Sequence, residues 1–94
     1  MDEFIERLAS SLSRADLIEI SLKNAVIHAL ITSQEELALN DKQFANLLGI
    51  SEYALFRLLS GERDCRLSQV AKMCAKCHLV PRLHFELEDG EDGG

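Results

Sequence analysis

Hydrophobic residues recur at helical spacing along most of this chain. Residues 2–13 carry apolar side chains three and four positions apart, which predicts a short amphipathic helix. Residues 17–37 carry a longer set, which predicts a long helix with a break near Ser21, where a serine can cap a new start. Another periodic run, from Leu67 to Cys77, predicts a helix late in the chain.

The middle of the chain has the pattern of two short helices separated by a glycine. Helices are predicted over residues 41–48 and 52–60, with Asn40 and Ser51 as their N-caps. Gly49, between them, supplies the left-handed conformation of a tight turn.

The pattern changes after residue 79. Apolar and polar residues alternate over 80–87, which predicts a β-strand. Residues 88–94 are almost entirely acidic or glycine, and we expect an acidic, disordered tail.

The spacing in the middle segment is typical of a helix-turn-helix. A small residue stands four positions before the glycine. Apolar residues stand one, six and nine positions after the glycine. The small residue lets the second helix cross closely, and the apolar residues fill the angle between the helices. The motif residues are Ala45, Gly49, Ile50, Leu55, Leu58 and Gly61. A generic helical hairpin within a bundle is the alternative interpretation.

The core of the XRE/Cro-type helix-turn-helix family resembles the segment LNDKQFANLLGISEYALFRLLSGERDCRLSQVAKMCAKCHLV. In particular, the chain is similar to small antitoxin-like regulators with a C-terminal strand, over roughly residues 21–87. The resemblance implies an all-α, lambda-repressor-like domain of five to six helices with a short C-terminal β-strand. The expected parts are an N-terminal helical extension (1–20), the helix-turn-helix core (21–79), the strand (80–87) and the tail (88–94).

The resemblance implies a dimer that binds double-stranded DNA and represses its own operon. The second motif helix then enters the major groove, and its predicted base contacts are Glu52, Tyr53, Phe56 and Arg57. The predicted phosphate contacts are Lys42, Ser51, Arg63 and Arg66. Two alternatives stay open here: Arg63 and Arg66 pair with the neighbouring acids Glu62 and Asp64, and Tyr53 and Phe56 pack between helices.

Three residues depart from the family's usual pattern, in which Asp41 is often glutamine, Glu52 a polar base reader and Phe56 a small polar residue. The two carboxylates would repel the DNA backbone, although Glu52 can accept a hydrogen bond from cytosine N4. Two functions therefore remain: a DNA-binding transcriptional regulator of the autorepressor or antitoxin type, or a protein-binding module with weakened or lost DNA binding.

Charge is unevenly distributed along the chain. The net charge is −6, but residues 42–85 carry seven basic and three acidic groups, while acids dominate on both sides. The positive charge is therefore confined to the middle of the chain, where the motif lies. The acidic ends suit a basic protein partner such as a toxin. A homodimer is expected through the C-terminal strand, which can pair with a copy of itself, or through the N-terminal helix.

The cysteines and histidines indicate no site. With three cysteines, no signal peptide and no membrane span in the sequence, we expect a cytoplasmic protein without disulfides. CAKCH (74–78) matches a haem-attachment pattern but lies in a periodic core helix, and zinc binding by Cys65, Cys74, Cys77 and His78 is disfavoured. We expect His78 to end that helix, since histidine tolerates positive φ. No catalytic constellation, metal site or cofactor is predicted, so an enzyme is not expected.

Overall fold

A computed structural model describes residues 12–88 of the chain. This part consists of four α-helices: α1 (Arg14–Glu36), α2 (Asp41–Leu48), α3 (Glu52–Leu59) and α4 (Leu67–Lys76). The all-α prediction is confirmed. The expectation of five to six helices is wrong for the described residues. The helix predicted over 2–13 and the disordered tail lie almost wholly outside them.

α1 is the longest helix and begins at a capping box. The Asp16 amide donates to Ser13 Oγ at 3.0 Å, and the Ser13 amide donates to the Asp16 carboxylate at 3.0 Å. The helix continues through Ser21, so the predicted break is wrong: no glycine or proline lies within α1, and extending a helix costs less than nucleating a new one. It also continues past residue 20, where the N-terminal extension is expected to end and the helix-turn-helix core to begin. No helix in the described range has the length and apolar character that crossing a membrane requires.

The predicted C-terminal strand is absent from the described residues. Residues 79–88 follow α4 without regular secondary structure. From Val80 onward the apolar side chains are exposed, from 73% for Leu83 to 96% for Leu87, whereas Leu79 is half-buried against the core. A strand needs a second strand to receive its hydrogen bonds, and residues 12–88 contain none. The segment therefore has the alternating pattern of a strand, but the described residues offer no second strand with which it could form a sheet.

The core lies between the second half of α1 and the three shorter helices. α3 packs against both α1 and α2, and α4 packs against α2. Phe44 of α2 is fully buried at the centre, and from α1 only Leu30 and Ser33 are buried. The buried apolar residues are Leu30, Phe44, Ala45, Leu48, Leu55, Leu58, Met73 and Cys77. This packing fixes α3 against α1 and α2 and leaves its outer face in solvent.

Candidate nucleic-acid interface

The first helix of the motif begins at the predicted cap. The Gln43 amide donates to Asn40 Oδ1 at 2.8 Å, and the Asn40 amide donates to Gln43 Oε1 at 2.9 Å. These two bonds satisfy amides that would otherwise lack partners at the start of α2. The start of α2 is thus set by local side chains.

The turn between α2 and α3 is left-handed, as the sequence predicts. Gly49 has φ 76° and ψ 29°. Its amide donates to the Asn46 carbonyl at 3.1 Å, and the Ile50 amide donates to the Ala45 carbonyl at 3.0 Å. These bonds close the end of α2 and redirect the chain into α3.

Ser51 caps α3, also as predicted. Its Oγ accepts a hydrogen bond from the Ala54 amide at 3.0 Å. The hydroxyl hydrogen is not used in that bond and can be donated to another acceptor, such as a phosphate oxygen. α3 ends at Leu59, and Gly61 follows with φ 81°.

The apolar motif residues face the interior. Ala45, Leu55 and Leu58 are buried, and Ile50 is half-buried against them. Ala45 is the small side chain at the crossing of α2 and α3, which are in contact. The arrangement holds the two helices at a fixed angle and determines which face of α3 meets solvent.

The four predicted base-contacting residues are all exposed on α3. Tyr53 is 70% and Phe56 62% exposed, so neither packs between helices. Glu52 and Arg57 are exposed beside them. The pairs 52/56 and 53/57 are one helical turn apart, which puts all four on one surface. This surface combines a carboxylate, a guanidinium and two aromatic rings.

Arg57 already has a partner. Its Nε lies 3.7 Å from Glu62 Oε1, in the loop after α3. Both side chains are about half exposed, at 46% and 58%. Such an exposed pair is weak and is screened by salt, so a phosphate or base edge can compete for the guanidinium.

The acid at the start of α2 is tied to α1. Asp41 Oδ1 accepts a hydrogen bond of 2.8 Å from Gln34 Nε2, which also donates to the Leu39 carbonyl at 3.2 Å. The Asp41 carboxylate is therefore engaged within the protein. It nevertheless lies with Glu52 at the rim of an open cleft, whose other lining residues are Leu55, Phe56, Leu59 and Ser60.

The predicted phosphate contacts are distributed over the start of α2, the start of α3 and the loop between α3 and α4. Lys42 is exposed in the first turn of α2, and Ser51 is the cap of α3. Arg63 is half-buried in a groove against α1, and Arg66 is exposed just before α4.

The loop acids pair with other groups than the two loop arginines. Glu62 contacts Arg57, and Asp64 Oδ1 lies 2.5 Å from Lys23 Nζ on α1. The hydrogen bond with Asp64 raises the pKa of Lys23. Within residues 12–88, neither Arg63 nor Arg66 forms a salt bridge. The interpretation that the loop arginines are neutralised by Glu62 and Asp64 is therefore wrong for this structure.

Lys76 is a residue of this region that the sequence does not reveal. Its Nζ donates to the Leu48 carbonyl at 3.3 Å and so caps the end of α2 from α4. The two residues are 28 positions apart, and no local pattern links them. The contact anchors the turn on which the position of α3 depends.

The cysteines and histidines form no ligand set in the described part. Cys77 is buried, Cys65 and Cys74 are half-buried, and all three are free thiols. Burial raises the pKa of Cys77, against a smaller lowering by a hydrogen bond with Ser33. His78 has φ 60° at the end of α4, as predicted. Among residues 12–88, no three histidine, cysteine or acidic side chains converge as metal ligands.

Comparisons with protein-family models, with curated proteins and with solved structures return no match for this chain. The resemblance to the XRE/Cro-type family thus stays a prediction. The site itself is a helix of eight residues with an exposed polar and aromatic face, held by a glycine turn against a second short helix.

Proposed function

We propose that this chain is a sequence-specific DNA-binding transcriptional regulator, cytoplasmic and not an enzyme, that acts as a dimeric autorepressor or antitoxin-type protein. The observation that carries the proposal is the joint exposure of Glu52, Tyr53, Phe56 and Arg57 on one face of α3. A helix presented in this way by a helix-turn-helix is suited to the major groove, where each base pair shows a distinct pattern of donors and acceptors.

Each side chain on this face has a matching base edge. The Arg57 guanidinium donates two hydrogen bonds to O6 and N7 of guanine once it leaves Glu62. The Glu52 carboxylate accepts from cytosine N4, and the Phe56 ring packs on a thymine methyl group. Tyr53 offers both a ring and a hydroxyl.

Phosphate contacts fix the register of the helix on the duplex. Lys42, Arg63 and Arg66 supply positive charge, and the Ser51 hydroxyl supplies a donor at the start of α3. A twofold dimer presents two such helices to half-sites about 34 Å apart, one turn of DNA.

The test compares a base-reading and a phosphate-binding variant on two duplexes, one carrying the DNA upstream of the protein's own gene and one of random sequence. Arg57→Ala should weaken binding to the upstream duplex by about 1–3 kcal/mol and leave the random duplex nearly unaffected. Lys42→Ala should weaken both alike and reduce the slope of log K against log salt by about 1.

Lys72→Ala is the matched control, since Lys72 is exposed on α4 outside the proposed contacts. It should bind as the wild type does. Equal losses for Arg57→Ala on both duplexes would contradict the assignment of Arg57 as a base reader.

The cleft beside the same face favours a second candidate, a protein-binding module. Phe56 is exposed next to apolar Leu55 and Leu59, and the carboxylates of Asp41 and Glu52 rim the cleft. An apolar surface bordered by carboxylates suits a lysine or arginine side chain, which has an apolar methylene chain and a positively charged end, better than it suits DNA. Such side chains are expected on a basic toxin. In that case the wild type leaves both duplexes unbound even at low salt, and Glu52→Gln weakens binding of the basic partner.

A further inference from the structure

α1 carries a second apolar stripe that does not belong to the core. Its positions alternate in steps of three and four, at residues 17, 20, 24, 27 and 31. This is the spacing of the a and d positions of a two-heptad coiled-coil seam. The residues are Leu17, Ile20, Asn24, Ile27 and Ile31.

Four of the five stripe residues face solvent, while Ile27 is half-buried next to Gly61 at the edge of the side of α1 that faces the protein. Leu17, Ile20 and Ile31 are 51%, 45% and 39% exposed. The buried side of the helix is formed instead by Leu30 and Ser33. A surface helix needs one apolar face to dock on its domain, so the stripe is apolar surface beyond that need.

The polar residue within the stripe indicates what covers it. Asn24 is exposed and stands between Ile20 and Ile27 at the centre of the seam. An asparagine amide carries both donors and acceptors, so two asparagines from identical chains can bond to each other. A single asparagine at an a position sets the register of paired helices in this way. The pattern is self-complementary.

We propose that the stripe from Leu17 to Ile31 is the seam along which two copies of this chain pair, helix against helix, about a twofold axis. It deepens the dimeric part of the proposed function by naming a surface. It uses none of the proposed DNA contacts and so does not depend on DNA binding.

The seam is short. Fourteen helical steps span about 21 Å, and such a contact buries less than the roughly 800 Å² per partner of a stable interface. Reversible association in the micromolar range is therefore expected, with no tight dimer at nanomolar concentration.

The test is sedimentation equilibrium of the full chain without DNA, over micromolar concentrations. The wild type should fit a monomer–dimer equilibrium. Ile20→Glu should raise the dissociation constant at least about tenfold, since each copy loses a buried isoleucine and gains a charge in the seam. A wild type that stays monomeric at about 100 µM, far above the expected dissociation constant, would overturn the proposal.

Ile18→Glu is the matched control. Ile18 has the same side chain, lies in the same helix and is 50% exposed, but it points about 100° away from Leu17. It should leave the dissociation constant within about twofold of the wild type. Equal weakening by Ile18→Glu and Ile20→Glu would show a nonspecific effect of charge on α1 and would overturn the seam.

Asn24→Leu tests the register role. Removing the paired amide should tighten association and admit species larger than a dimer, since an asparagine at an a position specifies oligomer state at a cost in stability. A weaker dimer with this variant would contradict the assignment. Failure of DNA binding by an intact dimer would count against the DNA-binding function alone, whereas a monomer that binds DNA would count against the seam and the dimer but not against DNA binding.

Discussion

At the residue scale, the turn between α2 and α3 depends on two constraints that meet at one position. Gly49 has φ 76°, a conformation that side chains with a Cβ rarely adopt. A Cβ placed there would also lie 2.8 Å from Lys76 Nζ, the group that caps α2. A substitution at this position is therefore strained and also displaces a hydrogen-bond donor.

Gly49→Ala should lower the free energy of unfolding by about 1–2 kcal/mol through the left-handed backbone, plus about 0.5 kcal/mol at most as the flexible Lys76 side chain moves aside and its hydrogen bond weakens. Gly61→Ala is the control. It has a similar φ of 81°, but its nearest neighbour is Ile27 Cδ1 at an ordinary 3.8 Å. Urea denaturation should show the larger loss for Gly49→Ala, and a larger loss for Gly61→Ala would contradict this account.

The three thiols should differ in reactivity. Cys77 is buried and its pKa is raised, whereas Cys65 and Cys74 are half-buried. Because the thiolate is the reactive form, iodoacetamide at pH 8 should modify Cys77 last, as followed by mass spectrometry. In urea the three should react at similar rates. Modification of Cys77 first in the folded protein would mean that this helix end is open.

At the element scale, the sequence predicts a helix or a turn correctly where the residues that determine it are close together in the chain. α2, the turn and α3 are predictable because Asn40, Gly49 and Ser51 act on amides within four residues of themselves. The strand over 80–87 is not, since a strand forms only against a neighbour that alternation cannot supply. The predicted break at Ser21 is wrong because a possible cap does not end a helix that is already propagating.

The features of the candidate site also fall into those that the local sequence predicts and those that depend on residues far apart in the chain. The exposure of Tyr53 and Phe56 follows from helical periodicity once Leu55 and Leu58 are placed in the core. The partners of the charged groups do not, because Lys23–Asp64 and Lys76–Leu48 join residues far apart in the chain.

The loop after α3 holds one side chain of the proposed reading helix, Arg57, through Glu62. Glu62→Gln releases Arg57 and removes a negative charge close to the expected DNA surface. Affinity for the upstream duplex should rise a few-fold, in line with the roughly 0.2–1 kcal/mol of an exposed ion pair. Fluorescence anisotropy is a suitable measurement.

Asp64→Asn is the control for this effect. It removes the same charge from the same loop but releases Lys23 instead of Arg57. It should raise affinity less than Glu62→Gln does. An equal rise for both variants would mean that loop charge alone matters and that Arg57 is not held back by Glu62.

At the scale of the whole molecule, charge and packing point in the same direction. The basic groups are concentrated in residues 42–85 while the net charge of the chain is −6. Within residues 12–88 the core has eight buried apolar residues, whereas apolar side chains on α1 and on residues 80–87 remain in solvent. A regulator that binds DNA through its middle and pairs with a second copy elsewhere accounts for both features.

The most direct test of this account is a titration of the wild-type protein against its own upstream DNA and a random duplex, each at about 50 and about 200 mM salt, because the affinity contributed by phosphate contacts falls steeply between these concentrations. The account predicts tight binding to the upstream duplex alone, weakening steeply as salt rises. Negligible or equal binding to both duplexes would contradict it. That result would mean that Asp41, Glu52 and Phe56 serve a protein partner.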